Sequence, residues 1–479
     1  MCIYRICYIL KTMKGQRLQI QPSRSQAHVL RQWIGCQRFI YNAKVHDDRY
    51  FRAFSRWSLE HTGQYAPVDQ SYAQYKALAP FLSEVPSQIL RNGAGRWYDA
   101  YQRFFKKLGG RPKIKTQHGR QSVLLTSELF SIKQNEHGNW FIHLGTKRRP
   151  LGSIRINTQG KSLTALPKMV VISFHAGRWS LSFSTSNVDT SGEPIQYPTY
   201  TEVLAELSQY SAGDLALAVN GVDRGVVLPA CDSKGRITSD LLNQNDLLLA
   251  RKEIKRKRYQ RKMTRQTQGS KGYLRTKAKV ARLSRYRSDC IQNLAHQVSH
   301  RLANDNETKV VALEDLRVQN MTKSAKGTAD QPGRRVRQKA GLNRSILQSG
   351  WGRLRTYLLY KLYRRGKLLI VVPPHYTSQA CSQCGTIDRA SRRSQADFAC
   401  NSCGFTIHAD VNASRVIAHH AAYALQHHFQ SGQGLSTSGS GKPKPQTPVE
   451  LQVSREVIQS FRALNREAGN PQPERAQAS

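Results

Sequence analysis

Acidic side chains are few in this sequence: 31 Asp and Glu stand against 74 Lys and Arg, a formal net charge of +43 over 479 residues. So one-sided a balance costs self-repulsion, which excludes a merely solvated surface as its purpose. It implies a polyanionic partner, nucleic acid ahead of a membrane surface. Long apolar runs are missing too. Nothing approaches the ~20 residues of a helical membrane span. The opening MCIYRICYILK is too short and too basic for a signal peptide. It reads as a first strand, or as an extension upstream of a start at Met13. Without a secretory signature the cysteines are expected to be reduced and the compartment cytoplasmic. Cys2, Cys7, Cys36, Cys231 and Cys290 are scattered.

The other four are not. Cys381-x2-Cys384 and Cys400-x2-Cys403 form two pairs, each followed directly by a glycine, Gly385 and Gly404. A glycine there adopts the positive φ that closes a tight turn. Four thiolates so arranged can gather one Zn²⁺ at ~2.3 Å each, as a structural zinc ribbon. Two disulfides would require an oxidising compartment, and unrelated core cysteines rarely fall as paired turns. A closed four-thiolate site has no open coordination position, so catalysis has to be sought beside it.

Along the chain, residues 14–20 alternate as a strand, and a helical pattern starts at Ser23. Ser87 caps a further helix whose aromatics mix with Arg96, Arg103, Lys106 and Lys107, followed by Lys113 and Lys115 in a Gly/Pro-rich turn segment. These cations are candidate phosphate contacts, although Trp97 and Phe104 also fit a plain core. Short apolar runs at Val123–Leu125, Trp140–Leu144, Ser153–Ile156, Lys168–Phe174 and Trp179–Phe183 indicate a small β-barrel. Residues 187–213 read as a linker, and Leu215–Val219 and Val226–Leu228 as strands around Gly221-Val222-Asp223. The segment Arg251–Arg287 holds sixteen basic residues and one acid, Glu253. Its Arg251, Lys252, Lys255, Arg256, Arg258, Arg261 and Lys262 are nucleic-acid candidates. An amphipathic helix (288–303), a strand Lys309–Leu313, a basic loop (322–341), one long helix from Ser345 to Arg365 and a strand Leu368–Val372 follow. A helix starts at Asp410, and the Ser/Gly/Pro/Gln-rich residues 431–479 are expected to be disordered, with Val453–Leu464 as a candidate short helix.

Three acids stand nearly alone at the ends of apolar elements: Asp223, Glu314 and Asp410. Each has a bland reading; Asp410 could be an N-cap, and Glu314 could pair with an arginine. Together, in a chain that binds polyanions, they would repel the substrate unless divalent cations intervene. Two Mg²⁺ ions ~3.5–4 Å apart would activate water and stabilise the leaving oxygen of a phosphodiester. The element order also matches a ribonuclease H-type α/β fold.

The motifs RFIYNAK, FFKKLGGRPKIK, NGVDRGVV, VALEDLRVQNM, NRSILQSGWGRLRTYLLYKLYRRG and PPHYTSQACSQCG…FACNSCGFTIHADVNASRVI resemble those of the TnpB family, transposon-encoded RNA-guided nucleases ancestral to type V CRISPR effectors. The resemblance implies an α+β multidomain protein. A wedge β-barrel (1–21 and 119–212) would be interrupted by a helical recognition domain (22–118). A RuvC-like nuclease domain (213–377 and 407–430) would carry the zinc ribbon (378–406) as an insertion. Asp223, Glu314 and Asp410 would hold two catalytic Mg²⁺, and the four cysteines one structural Zn²⁺. Guide RNA and double-stranded DNA would be the partners of a protein monomer, and no membrane. A cleavage-deficient RNA-guided repressor would have lost one of the acids. A CRISPR effector of the same type would differ only in genomic neighbourhood. Arg224 beside Asp223, where many members carry an apolar residue, is a departure.

Overall fold

The computed structural model describes residues 13–63, 71–117, 119–158, 163, 166–186, 195–225, 230–236, 246–328, 331–437 and 448–467. The expected strand Val226–Leu228 and the first twelve residues lie outside these. The chain divides into two units, one within Thr12–Ile195 and one within Gln196–Ser479.

The first unit is built on an antiparallel sheet. Its strands are β1 (Met13–Ile20), β2 (Gln121–Thr126), β3 (Phe130–Gln134), β4 (Trp140–Thr146), β5 (Arg149–Asn157), β6 (Met169–His175) and β7 (Arg178–Ser186). They run in the order β2-β6-β7-β1-β5-β4-β3. All five expected apolar runs are strands; β3 was not foreseen. Two helices cover the sheet, α1 (Arg24–Thr62) and α2 (Ser87–Phe105). Leu30, Ile40, Ile89 and Leu90 from the helices share one core with Leu125, Ile142, Ile154 and Leu181 from the sheet. The helices therefore share the sheet's core along part of their length and pack a smaller cluster of their own. Pro86, not Ser87, stands at the cap of α2, with no side-chain cap bond. Trp97 is buried beside Tyr41, Val45 and Tyr101, in the plain core role.

The second unit begins earlier than expected. Within the supposed linker, Thr199 caps α3 (Tyr200–Leu207) in a reciprocal capping box with Glu202, and Val203 and Leu207 are buried in this unit's core. Residues 196–212 thus belong here and not to the barrel. Ser211 then caps α4 (Ala212–Ala218), so Leu215–Ala218 is helical and the strand β8 spans Val219–Asp223. Further strands are β9 (Cys231–Asp232), β10 (Val310–Glu314), β11 (Leu368–Val372), β12 (Asp397–Ala399), β13 (Thr406–His408), β14 (Leu435–Thr437) and β15 (Glu450–Val453); β12 and β13 pair with each other, and the rest form a six-stranded sheet ordered β14-β15-β11-β10-β8-β9. β8, β10 and β11 are parallel and apolar on both faces, as a sheet covered on two sides requires.

The basic segment folds as a helical hairpin, α5 (Asp246–Thr264) against the 34-residue α6 (Lys271–Asn304). The long helix expected from Ser345 is two: α7 (Val336–Ser349) and α8 (Trp351–Tyr363), broken at Gly350 with φ 76°. A helix α9 (Ala409–Ser431) crosses the sheet. The tail is not uniformly disordered. β14 (Leu435–Thr437) and β15 (Glu450–Val453) join the sheet, β15 parallel to β11. The last helix, α10 (Arg455–Glu467), buries Val457 and Ile458.

Gly221 lets α9 lie flush on β8. A Cβ there would stand 2.0 Å from the Ser414 carbonyl oxygen and 2.6 Å from the Ala418 nitrogen. Both are backbone atoms that cannot swing aside. Gly221→Ala is expected to cost about 3 kcal/mol or more, read as a lowered urea midpoint for the second unit. An unchanged midpoint would mean that α9 does not sit this close.

Candidate active site and metal-binding ribbon

In the parallel register Leu313 faces Val222, so Glu314 sits level with Asp223 at one end of the sheet. Asp410 enters from the first turn of α9. It is not the N-cap, because the His408 ring accepts the Asp410 backbone N–H at 3.2 Å and caps the helix itself. The fold therefore brings the three acids to one place. Burial, then the charges of Glu314 and Asp410, push the Asp223 carboxyl up to about 7. Burial also raises Glu314 and Asp410. The three carboxylates are not mutually within 4.8 Å, a spacing that the thiol cluster alone meets among the described residues. Their oxygens are engaged elsewhere: Thr377 Oγ1 donates to Glu314, and Arg392 pairs with Asp410 at 3.4 Å.

Three arginines shape this site, and of these the sequence had singled out Arg224 alone. Arg392 belongs to the ribbon segment and lowers all three acids electrostatically. Arg224 is buried, donates to the Glu314 carbonyl oxygen, and is itself pushed down to about 10 by burial. Its guanidinium is tied to the end of β10 and so is not a free cation. Arg355 bridges Asp315 at 3.3 Å and grips Glu450 of β15 in a two-pronged contact, its Nε at 2.6 Å and its Nη2 on the other carboxylate oxygen. No spacing signal marks any of these arginines among so many.

The ribbon repeats one knuckle twice. Gly385 N donates to Cys381 O and Gly404 N to Cys400 O, both at 3.0 Å, with φ 77° and 72° at the glycines. Gln383 N and Cys403 N point at the first sulfur of each pair, at 3.4 and 3.5 Å. Cys381 and Cys403 sulfurs lie 3.8 Å apart, Cys384 and Cys400 sulfurs 3.6 Å. A tetrahedron with ~2.3 Å metal–sulfur bonds has edges of about 3.8 Å. The four thiols fit a tetrahedral metal, and their donor type suits zinc. Buried Asn412 of α9 fixes the ribbon to the acid-bearing helix, accepting from Ser382 N at 2.9 Å and donating to Ala380 O at 2.7 Å.

The nucleic-acid candidates divide. On α5, Arg251, Lys255, Arg258, Arg261 and Lys262 are exposed. Arg256 is paired with Glu253, and Lys252 stacks over Tyr286 at 4.1 Å. Arg103, Lys107 and Lys113 are exposed, whereas Arg96, Lys106 and Lys115 are half-buried.

Family models match three segments: a Cas12f1-like TNB domain at residues 351–417, a probable transposase at 216–325 and a helix-turn-helix domain at 13–47. The "Putative RNA-guided DNA endonuclease InsQ" of Escherichia coli (strain K12) is 30% identical over 92% of this chain and 99% of its own length. The chain belongs to the TnpB family. A second protein so described, from Streptomyces pristinaespiralis, is 25% identical over 84% of this chain and 87% of its own. A solved Cas12f1–sgRNA–target DNA complex covers 85% of this chain and 99% of its own, at 14% identity and TM-score 0.47, too loose a likeness to bear on the site. In this family member the segment matched as helix-turn-helix is β1 and the first part of α1. Among the described residues no helix is long and apolar enough to cross a membrane.

Proposed function

We propose that this chain is an RNA-guided DNA endonuclease with a single RuvC-type site, its ligands Asp223, Glu314 and Asp410. The convergence of three acids at one sheet end, Glu314 buried and Asp223 and Asp410 half-buried, carries the reading, since like charges so crowded call for cations. Two Mg²⁺ bound there would supply an activated water and neutralise charge at the leaving oxygen. Asp223 and Glu314 offer carboxylates from rigid parallel strands, and Asp410 offers a third from α9. Arg392 holds Asp410 in place until the site is loaded. The cysteine ribbon would bind one Zn²⁺ and brace α9 through Asn412.

In this reading the sheet of the first unit is the wedge and α1 with α2 the recognition segment. Residues 196–377 and 407–467 make the nuclease domain, and 378–406 the ribbon. Guide pairing would supply sequence while the basic hairpin α5–α6 holds the backbone. Protein purified from its own host is expected to carry one defined RNA, identified by sequencing. The complex should cut DNA matching that RNA in Mg²⁺ and only bind it in EDTA. Cutting that persists in EDTA, or protein free of RNA, would defeat the proposal.

A further inference from the structure

Two of the motifs singled out in the sequence, RFIYNAK and the GRPKIK end of the basic turn segment, meet in the first unit. Asn42 clamps the loop to α1: its Nδ2 donates to Lys115 O at 2.9 Å and its Oδ1 accepts from Lys115 N at 2.8 Å. The clamp sets the Lys115 ammonium 3.2 Å from the centre of the Tyr41 ring. Between the loop, α1, α2 and β2 it leaves a cavity of about 300 Å³ whose walls include Arg38, Arg96, Lys115 and Arg120.

Four cations round so small a space need a reason. None of them has a carboxylate within ion-pair distance among the described residues. Arg96 and Arg38 are tied only to neutral amides, Arg96 Nη1 to Gln37 Oε1 at 3.3 Å and Arg38 Nη1 to Gln121 Oε1 at 2.9 Å. Burial, then the charge of Arg96, pushes Lys115 down to about 7. Burial and Arg120 lower Arg96 as well, with Asp99 the weakest of the opposing influences. Among the described residues the charges repel one another with no carboxylate in ion-pair contact, Asp99 acting on Arg96 only from farther off. An anion seated among them would relieve that repulsion and take charge-assisted hydrogen bonds from guanidinium groups, whose planar forks suit phosphate oxygens.

We propose that this cavity seats one phosphate group of a bound nucleic-acid strand, pinning that strand at a single position. The inference rests on the nucleic-acid partnership proposed above and adds where one contact of it lies. Gln37 fixes the cavity floor. It is buried, and it bonds Leu124 N and O and Ile89 O at 2.8–3.2 Å, so the groups around the seat are held by α1, α2 and β2.

The test uses the intact protein–RNA complex. Neutral methylphosphonates are placed one at a time in each target DNA strand, and ethylation interference is run on the RNA, so that DNA and RNA sources of the phosphate are told apart. At one position neutralisation should weaken binding to the wild type roughly tenfold to a hundredfold. The same change should have no further effect on Lys115→Met or Arg120→Met, which already lack the partner. Lys133→Met, an exposed control on β3, should remain sensitive. Arg120 is exposed, so its variant carries the test should Lys115→Met fail to fold. If no position falls silent in either variant, or if Lys133→Met behaves as they do, the seat does not exist. Failure of the wider reading would show differently, as wild-type protein that carries no RNA and cuts nothing.

Discussion

Asp223→Ala should leave guided DNA uncut, its rate down roughly a thousandfold or more, as when a group that stabilises transition-state charge is removed. Guide and target binding should persist, because Asp223 faces Glu314 and Asp410 and none of the exposed basic residues. Loss of binding together with cleavage would make the acids structural. A subtler measurement uses Asp223→Asn without metal. The Asp223 carboxyl is raised from 3.8 to about 7 by burial and its acidic neighbours. Its folded value exceeds its unfolded one, so the native state holds the proton more tightly. Wild-type stability from this group is intact below pH ~4, falls between ~4 and ~7, and stays low above that. Asp223→Asn, permanently neutral, should match the wild type in urea at pH 4 and exceed it at pH 8 by on the order of 2 kcal/mol or more. Mg²⁺ should narrow that gap by binding the wild type alone. Equal urea midpoints for the two proteins at pH 8 in EDTA would contradict a crowded acid cluster.

Cys381→Ser should have the second-largest effect. A closed thiolate site in a small zinc domain contributes roughly 10–16 kcal/mol of apparent binding energy, and the ribbon's few buried apolar side chains cannot replace it. Zinc should fall from about one per chain to near zero, and protease should enter between residues 378 and 406. Cleavage should drop as well, because Arg392 and the Asn412 bonds couple the ribbon to Asp410. Wild-type protein that contains no zinc, or a variant as protease-resistant as the wild type, would remove the metal from the account.

The acids and cysteines that the fold brings together were legible because their signals are local. Paired cysteines with glycines behind them announce the knuckles, and an apolar run ending in a lone acid announces β10, whereas β8 was expected four residues too early. The capping box Thr199-x-x-Glu202 was equally local, yet the polar composition around it suggested a linker. What was not legible depends on distant partners. Gly350 breaks a helix that apolar spacing would carry straight through, because its neighbour Ile291 leaves room for no side chain: a Cβ would stand 2.6 Å from the Ile291 Cγ2. Arg392 and Arg355 are two among 74 basic residues, and only the fold selects them. Nor were the side-chain partners of two of the acids legible, Thr377 at Glu314 and Arg392 at Asp410.

The order of synthesis gives β15 a weight out of proportion to its four residues. Strands β8, β10 and β11 are complete by residue 372, but the flank of β11 has no neighbour until Glu450–Val453 arrives and Arg355 grips Glu450. A ribosome that stops short, or a clone trimmed at Ser431, would release a nuclease fold with a bare parallel flank of Leu369, Ile370 and Val371. Such a flank invites pairing with another chain. The final turns of the polypeptide thus act as the seam that closes the garment.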